Sequence, residues 1–223
     1  MADLPGVRPA PAARKAQKEI RRQQLIEATI DTLASKGYSD TTLAEVARRA
    51  GFSTGIVNSH FDSKERLLLE TLRYLSDEYR KAWQTAINRA GPDPARQLAA
   101  IVEVDFDRKI CTRRKLAAWY AFWGEAKARP DYLKHWGAVD EAFQDAIETL
   151  CARIIGDAGY DQDSLHVARG LDALLEGLWV KLLTGFRSFT REQARSIAFS
   201  WLAQVFPKHF DANGLAGGMV EAT

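Results

Sequence analysis

A short polar segment near the amino end has residue types and spacing suited to reading a nucleic acid. Residues 51–65, GFSTGIVNSHFDSKE, follow the strongly helical stretch TTLAEVARRA, and they predict a helix from Ser53 to Phe61 with barely two turns. A helix this short is unstable alone, so contacts outside its own backbone must hold it. Val57 and Phe61 are spaced to anchor it, which leaves these residues facing outward: Thr54, Gly55, Ile56, Asn58, Ser59 and His60. Such an exposed face suits the DNA major groove.

The residues just before this segment predict the first helix of a helix-turn-helix. A small residue, Ala47, would let the second helix cross closely, and Gly51 would supply the turn. A side chain at Gly51 would be strained, because the left-handed conformation costs an L-residue roughly 1–2 kcal/mol. Ser53 is predicted to cap the second helix. The apolar positions that join the two helices are Val46, Ala47, Ala50, Phe52 and Val57.

A second group of residues suited to binding is aromatic. Between residues 106 and 136 the rings are Phe106, Trp119, Tyr120, Phe122, Trp123 and Trp136. Aromatic residues at helical spacing commonly pack in a core, and that interpretation applies to each ring alone. As a group they also suit a quaternary ammonium, which donates no hydrogen bond and is held by aromatic faces at roughly 0.5–2 kcal/mol each.

An acidic residue strengthens the binding interpretation. Asp105 falls four residues after Ile101 and three after Val102, on the apolar face of its predicted helix, where an unpaired carboxylate is costly. It therefore needs a cation, which is either a bound trimethylammonium group or an arginine, Arg113 or Arg114, in an ordinary internal ion pair. Two further acids, Glu125 and Glu176, are weaker candidates of the same kind.

The elements that position these groups are all helical. Apolar residues recur at helical spacing along the chain, and the breaks between them predict an all-α fold with about nine helices. Ser63 is predicted to cap a fourth helix that extends to about Arg89 and joins a small N-terminal unit to a larger bundle. The terminal stretches, 1–15 and 211–223, are rich in Pro, Gly and Ala, and we expect both to be poorly ordered.

The segment G-F-S-x-G-x-V-x-x-H-F-x-x-K, from Gly51 to Lys64, resembles the tetracycline-repressor family of bacterial regulators. The resemblance implies a recognition helix that contacts bases and phosphates of double-stranded operator DNA, and a phosphate contact by Lys64. The family usually has Tyr where this chain has Asn58, which offers instead a bidentate contact to adenine. The residues expected to contact DNA are Thr42, Ser53, Thr54, Gly55, Asn58, Ser59, His60 and Lys64.

Three longer stretches are similar to the choline-sensing subgroup of that family, which represses glycine-betaine synthesis genes. They are RRQQLIEATI (21–30), AWYAFWGEA (118–126) and ARGLDALLEGLWVKLLTG (168–185). The resemblance implies a repressor released from DNA by a small-molecule effector, choline or a related quaternary ammonium. The alternative is an effector that is some other hydrophobic or cationic molecule. The expected ligand-binding residues are Asp105, Phe106, Trp119, Tyr120, Phe122, Trp123, Trp136 and Glu176.

The last two predicted helices have broad apolar faces, listed as Leu171, Leu174, Leu175, Leu178, Leu182, Ile197, Ala198, Trp201, Leu202 and Val205. Gly170, Gly177 and Ala198 would allow close helix approach. A four-helix interface in a homodimer fits these faces, as the family implies, and packing within one chain is the alternative. The expected division is a DNA-binding unit at 1–62, a ligand-binding and dimerisation domain at 63–210, and a flexible tail at 211–223.

Other function classes lack their residue patterns. The four histidines have no i, i+4 pairing, and no Ser-His-Asp, P-loop or dinucleotide motif occurs, so we expect no enzyme, no metal and no cofactor. The two cysteines show no metal-ligand spacing, and no signal peptide or membrane span is visible, which predicts a cytoplasmic protein. Residues 1–66 contain 11 Lys and Arg against 8 Asp and Glu, a mild excess that suits an anionic partner at that end.

Overall fold

The computed structural model describes residues 11–185 and 189–217, except for the side chains of Pro11 and Trp136. Within these ranges the all-α prediction is confirmed, with nine helices and one very short hairpin. The helices are α1 (Pro11–Lys36), α2 (Leu43–Ala50), α3 (Thr54–His60), α4 (Lys64–Arg89), α5 (Pro94–Asp105), α6 (Arg113–Ala126), α7 (Pro130–Ala158), α8 (Ser164–Thr184) and α9 (Arg191–Val205). The strands are β1 (Phe210–Asp211) and β2 (Gly214–Leu215), which pair antiparallel.

Local signals fix several of these boundaries as predicted. Gly51 has φ 71°, the left-handed conformation expected at the turn after α2. The Ser63 hydroxyl accepts a hydrogen bond from the Arg66 backbone N–H at 3.1 Å, so the predicted cap of α4 is present. The helix then extends to Arg89, where the sequence predicted its end.

Both ends of the chain differ from the prediction. Residues 11–15 belong to α1 and are not part of a poorly ordered tail. At the other end, the predicted flexible segment begins with a hairpin, in which the Asp211 carboxylate accepts hydrogen bonds from the backbone N–H groups of Asn213 and Gly214 at 2.7 and 3.1 Å. The hairpin is held against the bundle because Phe210 is 2% exposed and its ring lies 6.3 Å from that of Phe199.

The helices pack around one continuous hydrophobic core. The amino-terminal helix α1 contacts α2 and α4 and also packs along α6, while α4 continues into the larger bundle and contacts α5 and α7. Long α7 packs against α8, which in turn contacts α9. The packing of α4, α5, α6, α7 and α8 brings side chains from five separated stretches of sequence to one place. The division of the chain at residue 62 stays a prediction.

Candidate functional site

The helix-turn-helix has the exposed face that the sequence predicts. Val57 and Phe61 are 0% and 1% exposed and hold α3 against the core. Thr42 caps α2, since its hydroxyl accepts a hydrogen bond from the Glu45 backbone N–H at 3.2 Å. Four predicted DNA contacts on α3 are exposed, namely Thr54, Gly55, Asn58 and Ser59, and Thr42 is exposed beside them at the start of α2.

Two details of this face differ from the prediction. Ser53 occupies the N-cap position of α3, but its side chain accepts no capping hydrogen bond, so it remains exposed and the helix begins without that contact. His60 is half-buried and does not face fully outward, because its ring turns toward the amino-terminal part of α1. Burial lowers the pKa of His60, and the positive charges of Lys18 and Arg21 lower it further. At pH 7 the imidazole is therefore neutral and adds no charge for DNA.

Lys64 has contacts within the protein besides its predicted phosphate. It is the first residue of α4, and its ammonium group donates to the backbone carbonyls of Ser39 and Tyr38 at 3.2 and 3.4 Å. The same Nζ lies 5.5 Å from the centre of the Tyr38 ring. Since Lys64 is only partly buried, it retains donors for a phosphate, and its DNA contact stays a prediction.

A separate cavity lies inside the larger helical bundle. Its volume is about 370 Å³ when the opening to solvent is included. The residues that line it come from α4, α5, α6, α7 and α8, and they are Tyr79, Asp105, Trp123, Val139, Asp140, Phe143, Asp172, Leu175, Glu176 and Trp179. The lining thus combines four aromatic rings with four carboxyl groups, which is the chemistry of a site for an organic cation.

The rings of this lining contact one another at favourable distances. The Tyr79 ring centre lies 5.4 Å from that of Phe143 and 5.6 Å from that of Trp179. The planes of Tyr79 and Trp179 meet at 71°, an edge-to-face arrangement. Because aromatic pairs of this geometry add to the free energy of packing, the walls of the cavity are preformed.

Asp105 is the most buried carboxyl group of the cavity. It is 2% exposed, and its Oδ1 accepts a hydrogen bond of 2.7 Å from the Tyr79 hydroxyl, the only described donor to this side chain. The backbone carbonyl of Asp105 accepts from Trp179 Nε1 at 3.1 Å, which fixes the end of α5. Burial raises the pKa of Asp105 to about 7, and the charges of Asp172 and Glu176 add to that shift.

The arginine partners considered for Asp105 lie elsewhere. Arg114 forms ion pairs with Glu27 and with Asp31, the latter at 2.7 Å, and so joins α6 to α1. Arg113 is exposed at the start of α6. Among the described residues no arginine or lysine lies within ion-pair distance of Asp105, so the internal ion pair is not formed. A carboxylate that faces the cavity without a cation favours the ligand interpretation.

Three further carboxyl groups cluster at one end of the cavity. Oxygen atoms of Asp140, Asp172 and Glu176 all lie within 4.8 Å of one another. The Gln144 amide donates to Asp140 and to Asp172, both at 3.1 Å. Desolvation raises the pKa of Asp172 to about 6, with Asp140 as the second cause. Glu176 is the most exposed of the three, yet loss of water around its carboxyl group raises its pKa to about 7.

The structure brings only part of the predicted ligand set together. Asp105, Trp123 and Glu176 line the cavity, and the rings of Tyr120 and Trp123 are 4.8 Å apart just outside it. Phe106 and Trp119 are buried in the core away from the lining, at 6% and 2% exposure. Phe122 packs instead against Tyr38 and Tyr132. The Trp136 side chain lies outside the described residues.

Sequence reasoning missed six members of the lining, and it missed them because they lie on three other helices. They are Tyr79, Val139, Asp140, Phe143, Asp172 and Trp179. One signal was available in α8, where Asp172, Glu176 and Trp179 recur at helical spacing and place two acids and a ring on one face. That pattern resembles the combination of Asp105 with aromatic residues that indicated binding elsewhere.

The predicted dimer faces of α8 and α9 are partly used within the chain. Leu171, Leu175, Leu178, Ala198 and Leu202 are buried, whereas Val180 and Ile197 are 37% and 42% exposed. Gly170 permits the close approach of α9, since a Cβ there would lie 3.2 Å from the Trp201 ring. The exposed apolar residues remain available to a second chain. No helix within the described residues is long and apolar enough to cross a bilayer.

Comparison with known proteins finds similarity along both parts of the chain. Residues 25–71 match the family model "Bacterial regulatory proteins, tetR family", and residues 94–207 match "BetI-type transcriptional repressor, C-terminal". The HTH-type transcriptional regulator BetI of Stenotrophomonas maltophilia (strain R551-3) is 33% identical, covering 85% of this chain and 94% of that protein.

Two solved structures are similar in fold. A transcriptional regulator from Pseudomonas aeruginosa PAO1 gives a TM-score of 0.73 at 25% identity, covering 85% of this chain and 91% of its own. A regulator from Saccharomonospora viridis, solved in complex with choline, gives 0.70 at 23% identity, covering 82% and 96%.

Proposed function

Since this chain belongs to the TetR family of bacterial regulators and has a BetI-type C-terminal domain, we propose that a small organic cation controls its binding to DNA. The protein is a DNA-binding transcriptional repressor and not an enzyme. The proposed effector is choline or a related quaternary ammonium, and the proposed target genes are those of glycine-betaine synthesis, as the sequence resemblance implies.

One observation carries the effector proposal, namely a cavity in which aromatic rings surround a buried carboxylate that has no described cationic partner. A quaternary ammonium satisfies both features, since ring faces attract it and its charge compensates Asp105. The Saccharomonospora viridis regulator, similar in fold, was solved with choline, which supports the proposal for this chain.

On DNA we propose a homodimer. One α3 helix reads few base pairs, and two of them on successive major grooves give the selectivity that an operator requires. The exposed Val180 and Ile197 on α8 and α9 support an interface between two copies of these helices.

The proposed coupling uses α4, which begins beside α3 and contributes Tyr79 to the cavity. A ligand that moves Tyr79 shifts the start of α4, and with it the separation of the two α3 helices in the dimer. Such a shift needs a coupling free energy of about 1–3 kcal/mol.

Calorimetry with the full chain tests the effector. Choline is compared with 3,3-dimethylbutanol, which has nearly the same shape without the charge, and with glycine betaine, which adds a carboxylate. We expect choline to bind more tightly than either and to release a fluorescent operator duplex at the same concentrations. Equal affinities for choline and dimethylbutanol, or no release by choline at millimolar concentration, would contradict the proposal.

A further inference from the structure

We propose that the cavity is built for a ligand with two cationic groups, a bulky ammonium among the rings beside Asp105 and a hydrogen-bond-donating ammonium held by Asp140, Asp172 and Glu176. The inference rests on the proposed function, because it concerns the same cavity, and it narrows the effector class. Choline supplies only the first of the two groups. The predicted class is therefore the small diamines, including those with one quaternary nitrogen.

The first argument is the balance of charge. Four carboxyl groups line the cavity, and within the described part of the chain none of the four is within ion-pair distance of a lysine or arginine. A single quaternary ammonium beside Asp105 would leave the other three carboxyl groups without a cation. Groups that are partly removed from water in this way need compensation by an opposite charge or by hydrogen-bond donors.

The second argument is the chemistry of the acidic end. An ammonium group has three N–H donors, whereas a trimethylammonium group has none. Charge-assisted N–H···O bonds of about 2.8 Å around a tetrahedral nitrogen place their acceptors about 4.6 Å apart. The oxygens of Asp140, Asp172 and Glu176 lie within 4.8 Å of one another, a spacing that such an ammonium spans without rearrangement.

A divalent cation would need a tighter arrangement. Calcium binds oxygens at about 2.3–2.6 Å, which draws neighbouring ligand atoms to roughly 3–4 Å from one another. Gln144 also donates N–H groups to both Asp140 and Asp172. That amide nitrogen occupies part of the space between the two aspartates and is a poor neighbour for a metal ion, whereas it is compatible with a further hydrogen-bond donor.

An independent observation outside the acidic end points to the same ligand. Asp105 is 2% exposed, lines the same cavity from α5, and receives a described hydrogen bond from Tyr79 alone. Its environment is made of rings, since Tyr79 contacts both Phe143 and Trp179. The cavity therefore has two chemically different ends, one aromatic with a single carboxylate and one with three clustered carboxyl groups.

A matched pair of ligands tests the inference on the full chain at pH 7.5. Choline and (2-aminoethyl)trimethylammonium share the quaternary head and differ in a hydroxyl against a protonated amine, and the 3-aminopropyl homologue tests the spacing. We expect one of the amines to bind about tenfold or more tightly than choline, as a charge-assisted hydrogen-bond cluster implies. Calcium chloride alone should neither bind nor displace choline.

Variants show which residues give the preference. Asp172→Asn should reduce the affinity ratio of amine to choline to about threefold or less. Glu176→Gln, at a more exposed position, should act in the same direction, which keeps the test valid if Asp172→Asn folds poorly. Asp145→Asn is the matched control, since Asp145 is exposed on α7 and does not line the cavity, and it should keep the ratio of the unmodified chain.

The outcomes separate this inference from the proposed function. If choline binds and releases the operator but neither amine exceeds it, the second cationic group is refuted while the proposed function stands. If an amine binds and releases the operator but choline does not, the inference stands and choline is excluded as the effector. Tight calcium binding that Asp172→Asn abolishes would overturn the diamine in favour of a metal. No binding of any of these cations would overturn both.

Discussion

The hydroxyl oxygens of Tyr38 and Tyr132 lie 2.8 Å apart, and this hydrogen bond joins the turn after α1 to the first turn of α7. The Arg129 guanidinium lies 5.4 and 5.8 Å from the two ring centres. The Tyr38 carbonyl in turn accepts a hydrogen bond from Lys64 at the start of α4. Since α7 also supplies three residues of the cavity, this contact is a direct connection between the cavity and the DNA-binding helices.

Tyr132→Phe removes the hydroxyl and keeps the ring, so it tests this connection alone. If the contact transmits the ligand signal, the ratio of operator affinities without and with choline should fall about two- to tenfold, the equivalent of one hydrogen bond. Operator binding is measured by fluorescence anisotropy at both ligand concentrations. Tyr160→Phe is the control, because the Tyr160 hydroxyl contacts His209 at the far end of α7. An unchanged ratio in Tyr132→Phe would exclude the contact from the coupling.

Lys64→Ala tests the predicted phosphate contact. Loss of a phosphate contact weakens binding to all sequences alike and lowers the slope of log K against log salt by about 0.9 for each phosphate, so by about two for a dimer. The measurement is a salt titration of operator and nonspecific DNA. Lys208→Ala provides a control, since Lys208 donates to the Ala158 carbonyl far from α3. Lost sequence preference with an unchanged slope would argue against the assignment.

Asn58→Ala tests whether the exposed amide on α3 reads a base. A bidentate contact to adenine is worth about 1–3 kcal/mol of discrimination, so the loss should be confined to particular base pairs. A panel of operator variants with single base changes measures this. Ser59→Ala should have a smaller effect, because the Ser59 hydroxyl already donates to the Ile56 carbonyl at 2.7 Å. An equal loss on every variant would make Asn58 a backbone contact instead.

Helix boundaries were predictable because their signals are local. Gly51 and Ser63 each specify a backbone conformation or a cap within a few residues, and the structure has both as expected. The carboxyl-terminal hairpin had such a signal too, since Asn213-Gly214 is a common turn pair, but strands of two residues give no alternating pattern. Composition alone therefore suggested a disordered tail.

The composition of the cavity was less predictable because it depends on how distant helices pack. The burial of Asp105 follows from the periodicity of α5 and was expected. Which rings face Asp105 depends on the packing of α4, α7 and α8, and Tyr79 and Trp179 come from stretches that the sequence shows as ordinary apolar helix. Trp119 shares a helix with Trp123 but is buried outside the lining, a distinction that the periodicity of α6 alone does not make.

Trp123→Leu tests the contribution of cation–π attraction. Leucine keeps part of the apolar volume and removes the ring quadrupole, so choline affinity should fall by about 0.5–2 kcal/mol. Trp119→Leu is the matched control, because Trp119 lies one turn earlier in α6 and does not line the cavity. Calorimetry on both variants, with thermal melts to verify folding, decides the point. Equal losses in the two variants would assign the effect to general packing.

The last prediction concerns pH and the carboxyl groups of the cavity. Burial raises the pKa of Asp105 to about 7 in the folded protein, while the unfolded chain titrates near about 3.9. The folded state therefore binds more protons than the unfolded state between these values, and the contribution of Asp105 to stability is lost as pH rises from about 4 to about 7. We expect the melting temperature of the ligand-free protein to decline over this range, and Asp105→Asn to flatten the decline.

A cationic ligand reverses the preference, because it stabilises the ionised carboxylate. Choline affinity should therefore rise with pH up to about 7 and then level off, with up to about tenfold per pH unit for each carboxyl group that loses its proton on binding. Calorimetry in two buffers of different ionisation enthalpy measures the protons released at pH 6. Asp105→Asn should weaken choline binding and reduce that release. Choline affinity independent of pH between 5.5 and 7.5, with no proton release, would show that the ligand does not contact these carboxyl groups.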